Sequence, residues 1–206
     1  MSGRRRYLAL GDSYTIGEGI APEDRWPVQL ADGLRDAGLV IDGPRIVATT
    51  GWTTDELDAG IDAAAPEGPF DLVSLLIGVN DQYRGRDVAQ YAPAFSALLE
   101  RAIGFADGDV SRVFVLAIPD WGVTPFGAHS GRDTSAIAAE LDAYNATAAA
   151  ICAARGAAFV DIAPVSRARG GEADMLADDG LHPSAALHVE WTRLALPVAR
   201  RVLSAA

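Results

Sequence analysis

Lysine is absent from the 206-residue chain, and all 17 basic residues are arginine. We attribute this to a coding bias, yet it removes two possibilities at once. There is no lysine nucleophile, and no GxxxxGK[ST] phosphate loop, which needs its lysine. Cysteine occurs once, at Cys152, so neither a disulfide framework nor a multi-cysteine metal site can be built. Positive charge is scarce: 17 basic against 28 acidic residues leave a net charge of −11. Such a balance argues against a nucleic-acid partner, whose phosphates need a basic face, and against docking on anionic lipid. No run approaches the ~18–20 apolar residues of a membrane span. Behind Arg4, Arg5 and Arg6 the apolar run covers only 7–10, shorter than the ~7–15 residues of an export segment. The expected location is therefore the cytoplasm, with those arginines flanking the first strand in solvent.

Half of the residues are hydrophobic, which excludes a disordered chain, and the length suits one domain over 1–206 with a sizeable core. Short apolar runs at 7–10, 45–48, 72–77, 113–118 and 158–162 each end in turn-forming residues and read as strands. Between them lie helical patterns at 26–37, 54–65, 88–105 and 135–154, with a last one at 184–203. Gly- and Pro-rich stretches at 66–69, 107–109, 119–133 and 169–172 read as loops. Strands rich in Val, Ile and Leu alternating with helices predict an α/β protein with about five parallel strands covered on both faces. Right-handed crossovers then give a three-layer α/β/α sandwich.

Ligands of such a sheet bind beyond the carboxyl ends of its strands. The first strand is followed by Gly11-Asp12-Ser13-Tyr14, the second by Thr49-Thr50-Gly51-Trp52 and the third by Gly78-Val79-Asn80-Asp81. Beyond the fifth comes Asp179-Gly180-Leu181-His182-Pro183. Taken singly, these are ordinary turn and cap residues: Ser13 and Asn80 can cap helices, and Gly51 can supply a positive φ. Together they fit acyl transfer. A serine hydroxyl needs a base within reach, and His182 can supply it. An aspartate three residues earlier, Asp179, can fold back onto the ring and fix its tautomer. The neighbouring Asp178 is a rival one residue farther off and is read as solvated. The Ser13 N–H, the Gly51 N–H and the Asn80 side-chain amide can serve a developing oxyanion. A glycine at 51 would let the backbone approach closely.

These four blocks resemble those of the SGNH (GDSL-type) hydrolases, and the resemblance spans nearly the whole chain. It implies a flavodoxin-like sandwich and a serine esterase, lipase or acyl-group hydrolase that needs no cofactor. It also implies Ser13 as nucleophile, Gly51 and Asn80 as oxyanion donors, and Asp179 and His182 as acid and base. Tyr14 stands where the family's name motif has leucine. Asp12 is expected to stiffen the turn through its side chain. The acyl or alcohol pocket is expected from loop aromatics, with Trp52, Tyr83, Trp121 and Phe126 as candidates. Small acyl esters, lysophospholipids and acetylated sugars are the expected substrates. His129 and His188 have no metal spacing and are expected at the surface, while Cys152 is expected to pack as a small apolar residue.

Two other classes compete. The Thr49–Thr53 segment resembles the phosphate-cradling loop of flavodoxins, although it follows the second strand and not the first. A flavin- or nucleotide-binding module is therefore the alternative, and a non-catalytic acyl-sugar binder is a third reading. If the hydrolase reading holds, the purified protein is colourless; the yellow absorption of a bound flavin would reverse the order.

Overall fold

Apolar runs with Val, Leu and Ile on both pleat faces need cover on both faces, and the runs at 7–10, 72–77 and 113–118 are buried throughout, while those at 45–48 and 158–160 are partly buried. The structure, a computed structural model, describes residues 4–204. Strands β1 (Tyr7–Gly11), β2 (Arg45–Ala48), β3 (Leu72–Leu76), β4 (Val113–Leu116) and β5 (Ala158–Val160) form one sheet in the order β2-β1-β3-β4-β5. Every pairing is parallel, with Leu10 opposite Val47 on one side and Leu75 on the other. The three-layer α/β/α architecture expected from the sequence is the one found. The fourth and fifth predicted strands each run two residues too far; in the fourth, the backbone N–H and C=O of Ile118 both pair with the Asn145 side chain, at 2.7 and 2.9 Å, and not with a strand.

Among the described residues the helices are α1 (Ser13–Ile16), α2 (Trp26–Asp36), α3 (Thr54–Ala64), α4 (Val79–Tyr83), α5 (Val88–Phe105), α6 (Pro125–His129), α7 (Thr134–Arg155), α8 (Ala163–Arg169) and α9 (Ala185–Ser204). The five long ones lie within a residue of their predicted bounds. The four short ones, α1, α4, α6 and α8, were not expected, because a helix of one or two turns shows no periodic pattern. Helices α2 and α9 pack on each other over one face, and α3, α5 and α7 follow one another over the other. The stripe Trp26, Leu30, Ala31 and Leu34 of α2 is fully buried, as are Trp191, Ala195 and Ala199 of α9. None of the described helices is long and apolar enough to cross a membrane.

One histidine departs from expectation. His188 is wholly buried, its Nδ1 accepts the Trp26 N–H at 2.8 Å, and its ring stacks on Trp191 at 5.1 Å. The residue preceding α2, Arg25, offers no side-chain acceptor, so His188 caps a helix that its own neighbour leaves uncapped. Burial, helped by the nearby His182, pushes the imidazole down to about 3 and keeps it neutral. His129 is exposed, and Cys152 is buried on α7 with its thiol pushed up to about 12 by desolvation, which makes it an unreactive packing group. Arg6 does more than flank β1: it donates to the Glu67 and Pro69 carbonyls and lies 4.6 Å over the Phe70 ring.

Replacing His188 with leucine leaves the buried Trp26 N–H without an acceptor. His188→Leu should therefore lower unfolding stability by about 1–3 kcal/mol, read as a shift of the urea midpoint. An unchanged midpoint would show that the cap contributes nothing.

Candidate active site

The chain leaves β1 for β2 on one side and returns through β3 on the other, so the strand order reverses between β1 and β3. A crevice opens beyond the carboxyl ends of the strands at such a point. Ser13 opens α1 directly after β1, Asn80 lies in α4 after β3, and Gly51 sits between β2 and α3. His182 arrives from the loop before α9. The four line one cavity of about 200 Å³.

The Asp179–His182 segment is a self-contained turn. Asp179 Oδ1 accepts the backbone N–H groups of Leu181 and His182, each at 2.9 Å, and Oδ2 lies 2.5 Å from His182 Nδ1. Partial burial alone would raise this carboxyl's pKa, but the bonds from the His182 ring and the two N–H groups outweigh it and hold the pKa below the usual aspartate value. An ionised Asp179 claims the Nδ1 proton and leaves Nε2 as the free base of the ring. Asp178 is exposed and makes no such bond.

Ser13 is almost wholly buried, and its position depends on both neighbours. Asp12 caps α1, its Oδ1 accepting the Tyr14 N–H at 3.0 Å, as expected of a residue that stiffens the turn. Its Oδ2 is buried without a partner. Burial pushes the carboxyl up to about 8, against the pull of the Tyr14 N–H and with the nearby Asp81 adding to the rise. The Tyr14 ring stands edge-on to His182 at 6.0 Å and to Trp191 at 5.9 Å. Tyr14, where the resemblance has leucine, thus stands between the histidine ring and α9.

Gly51 and Asn80 come from different strand ends, and α4 joins them. Asn80 Nδ2 donates to the Trp52 carbonyl at 2.9 Å, which leaves its second amide hydrogen for a ligand. Arg84 Nη2 donates to the Gly51 carbonyl at 2.7 Å. The buried Asp81 carboxylate accepts the Thr54 N–H and hydroxyl at 2.9 and 2.8 Å and pairs with Arg86 at 2.9 Å. Gly51 has φ +86°, and the space its Cβ would fill is empty. Glycine is therefore demanded by the backbone angle, as the positive-φ reading of this position expects, and the open space on its cavity side is left to a ligand. At Gly78, the residue before α4, φ is +126° and a Cβ would also meet the Tyr91 ring at 2.7 Å.

The remaining cavity wall is aromatic. Trp121 is 2% exposed and meets Tyr83 at 5.4 Å and Phe126 at 6.1 Å between ring centres. Trp52, expected beside them, does not line the cavity; its ring lies over Gly60 of α3, where the missing side chain makes room. Apart from Thr49, the threonines of the second loop are engaged by acids: Thr50 with Glu18, Thr53 with Asp55 and Glu56, and the adjacent Thr54 with Asp81. A loop ringed by carboxylates is electrostatically wrong for a phosphate. Among the described residues no group of three or more His, Cys, Asp or Glu is arranged to hold a metal.

The sequence reading missed Arg84 and the bridging part of Asp81. Nothing in the order of residues says that the partner of Asp81 lies 27 positions away.

A profile of the GDSL-like lipase/acylhydrolase family matches residues 9–189. The crystal structure of TesA resembles this chain with a TM-score of 0.75 at 22% identity, over 97% of this chain and 100% of that one. The psychrotrophic esterase EstA from Pseudoalteromonas sp. gives 0.67 at 18%, over 97% and 99%. Axe2, an acetylxylan esterase from Geobacillus stearothermophilus, gives 0.69 at 20%, over 95% and 94%. At these identities the likeness is one of fold. Among curated proteins no relative matches the chain.

The unpaired Asp12 carboxyl has a thermodynamic consequence. An unfolded aspartate ionises near pH 4, while the folded one holds its proton to about 8, so between these values the folded state binds the extra proton and stability falls as pH rises. Asp12→Asn keeps the acceptor for Tyr14 and has no proton to lose. Its Tm advantage over wild type should grow from pH 4 to pH 8. A constant difference across that window would show that Asp12 is ionised throughout.

Proposed function

The chain belongs to the GDSL-like lipase/acylhydrolase family and is a carboxylic ester hydrolase, and on that premise we propose that its acyl-enzyme forms on Ser13 with His182 as base. The carrying observation is that the Asp179-bound His182 shares one cavity with Ser13, Gly51 and Asn80. Ser13 Oγ attacks the ester carbonyl carbon while its proton passes to His182 Nε2. The carbonyl electron pair moves onto oxygen, where the N–H groups of Ser13 and Gly51 and the Asn80 amide receive it. Each preorganised donor of this kind is worth about 3 kcal/mol of barrier. Asp179 stabilises the imidazolium. The intermediate collapses, the ester C–O bond breaks, and the alcohol leaves with the proton from His182. Water then gives its proton to His182 as it attacks the acyl carbon. Ser13 departs, takes that proton back and releases the acid.

The substrate class follows from the wall. Apart from the catalytic groups, the cavity is walled by Tyr14, Val79, Tyr83, Trp121, Phe126 and Leu181, and by the polar Thr50. That supports a small uncharged acyl ester ahead of a lysophospholipid or an acetylated sugar. Ser13, Gly51, Asn80 and His182 come from across the chain to line one cavity at the carboxyl ends of the strands, which supports reading 1–206 as a single catalytic domain. The intact set of catalytic groups disfavours a binder that has lost its chemistry.

The test is turnover of p-nitrophenyl esters, with lysophospholipid and acetyl-xylose substrates alongside. Ser13→Ala and His182→Ala should each lower kcat by about 10⁴-fold or more, and Asn80→Ala by about 10²- to 10³-fold. A fluorophosphonate should label wild type and not Ser13→Ala. Full turnover in Ser13→Ala would overturn the mechanism.

A further inference from the structure

We infer that Gln82, which does not line the cavity, limits the size of the acyl group this site accepts by fixing Trp121 as its floor; this rests on the hydrolase reading above. The cavity has a depth order. Tyr83 and Phe126, 50% and 38% exposed, stand at its mouth, and the Trp121 ring lies between them at 2% exposure. A floor made by a large ring sets a limit only if the ring cannot turn away, and Trp121 is held at both edge and face. Its indole N–H donates to Gln82 Oε1 at 2.9 Å. Gln82 is itself 1% exposed, and its Nε2 donates to the Glu140 carboxylate on α7. Glu140 also accepts Arg132 Nη2 at 2.8 Å, and the Arg132 guanidinium returns to the Trp121 ring, 5.4 Å from its centre. The four residues close a circuit around the indole. Rotating the ring would leave both its N–H and the Gln82 carbonyl buried without partners, which is costly.

The size follows from the volume. At roughly 30 Å³ per water-sized group, a cavity of about 200 Å³ holds about six or seven non-hydrogen atoms. The acyl group is thus short, and it is uncharged, because the lining has no carboxylate, ammonium or guanidinium. The alcohol takes its proton from His182 and leaves on the side where the Asp179 side chain is open to water, so the aromatic end floored by Trp121 belongs to the acyl group.

The experiment is a kcat/KM profile over p-nitrophenyl esters from acetyl to dodecanoyl for wild type, Gln82→Leu, Trp121→Phe and the double variant. Wild type should gain about fourfold per added methylene up to about six carbons and fall beyond. Gln82→Leu should raise the decanoyl-to-hexanoyl ratio at least about tenfold and flatten the rise before it. A merely structural part for Gln82 would scale every ester alike and leave the ratios in place. Trp121→Phe keeps a ring but has no N–H, so it should shift the ratios in the same direction, and adding Gln82→Leu to it should change them no further. If Gln82→Leu does not fold, Trp121→Phe breaks the same hydrogen bond from the other side, and an unmoved ratio there overturns the proposal. So does an equal shift by Gln82→Leu in both backgrounds, or a flat wild-type profile. When wild type turns over esters through Ser13 but the ratios do not move, only this proposal fails. Wild type inert towards every ester overturns the hydrolase reading and this proposal together.

Discussion

The grip of α4 on the loop between β2 and α3 is the constraint from which the rest of the site follows. Two strand ends of a parallel sheet are not joined by the sheet itself beyond their last ladder bond. Here Asn80, Asp81 and Arg84 reach across and hold Trp52, Thr54 and Gly51 in turn. The Asp81 carboxylate is the anchor: wholly buried, it takes two bonds from Thr54 and one from Arg86. A five-residue helix turned by 100° per residue must then commit its other side chains too. Val79 and Tyr83 fall to the cavity and Gln82 to the protein interior. Donor placement, pocket wall and buried brace are therefore three consequences of one docking.

The opposite half is built on another plan. Asp179 and His182 owe their relation to a single turn and would keep it whatever the sheet did, because both carboxylate oxygens are tied within three residues. What the turn cannot supply is its position relative to Ser13. Tyr14 supplies part of it, touching the histidine ring on one side and Trp191 on the other. The proposed donors and the proposed acid–base pair meet across an aromatic contact, with Asp12 fixing the turn that carries Tyr14.

The strands and long helices were legible because their apolar residues repeat with a period that a single sequence displays. The blocks around Ser13, Gly51, Asn80 and His182 were legible because each follows a strand that could itself be read. Asp179 was preferred to Asp178 on spacing alone, and the hydrogen bonds fall on Asp179. Contacts between distant segments were not legible. Trp52 sits next to Gly51 in the chain, yet its ring turns to the gap at Gly60, a vacancy visible only once α3 is placed. His188 reads as one polar residue on a helix, and its burial depends on the uncapped start of α2, some 160 positions earlier. The short helices α1 and α4, which carry Ser13 and Asn80, are set by the turns they close and have no pattern of their own.

Tyr14 stands directly after the candidate nucleophile and rests on Trp191, and Trp191 stacks on the histidine that holds the start of α2. The placement of His182, the proposed base, is thus wired to the docking of the two helices on one face of the sheet. Slackening of that face would misalign hydroxyl and imidazole while the strands were still paired. On the proposed mechanism, turnover would therefore report on the α2–α9 seam as well as on the groups of the cavity.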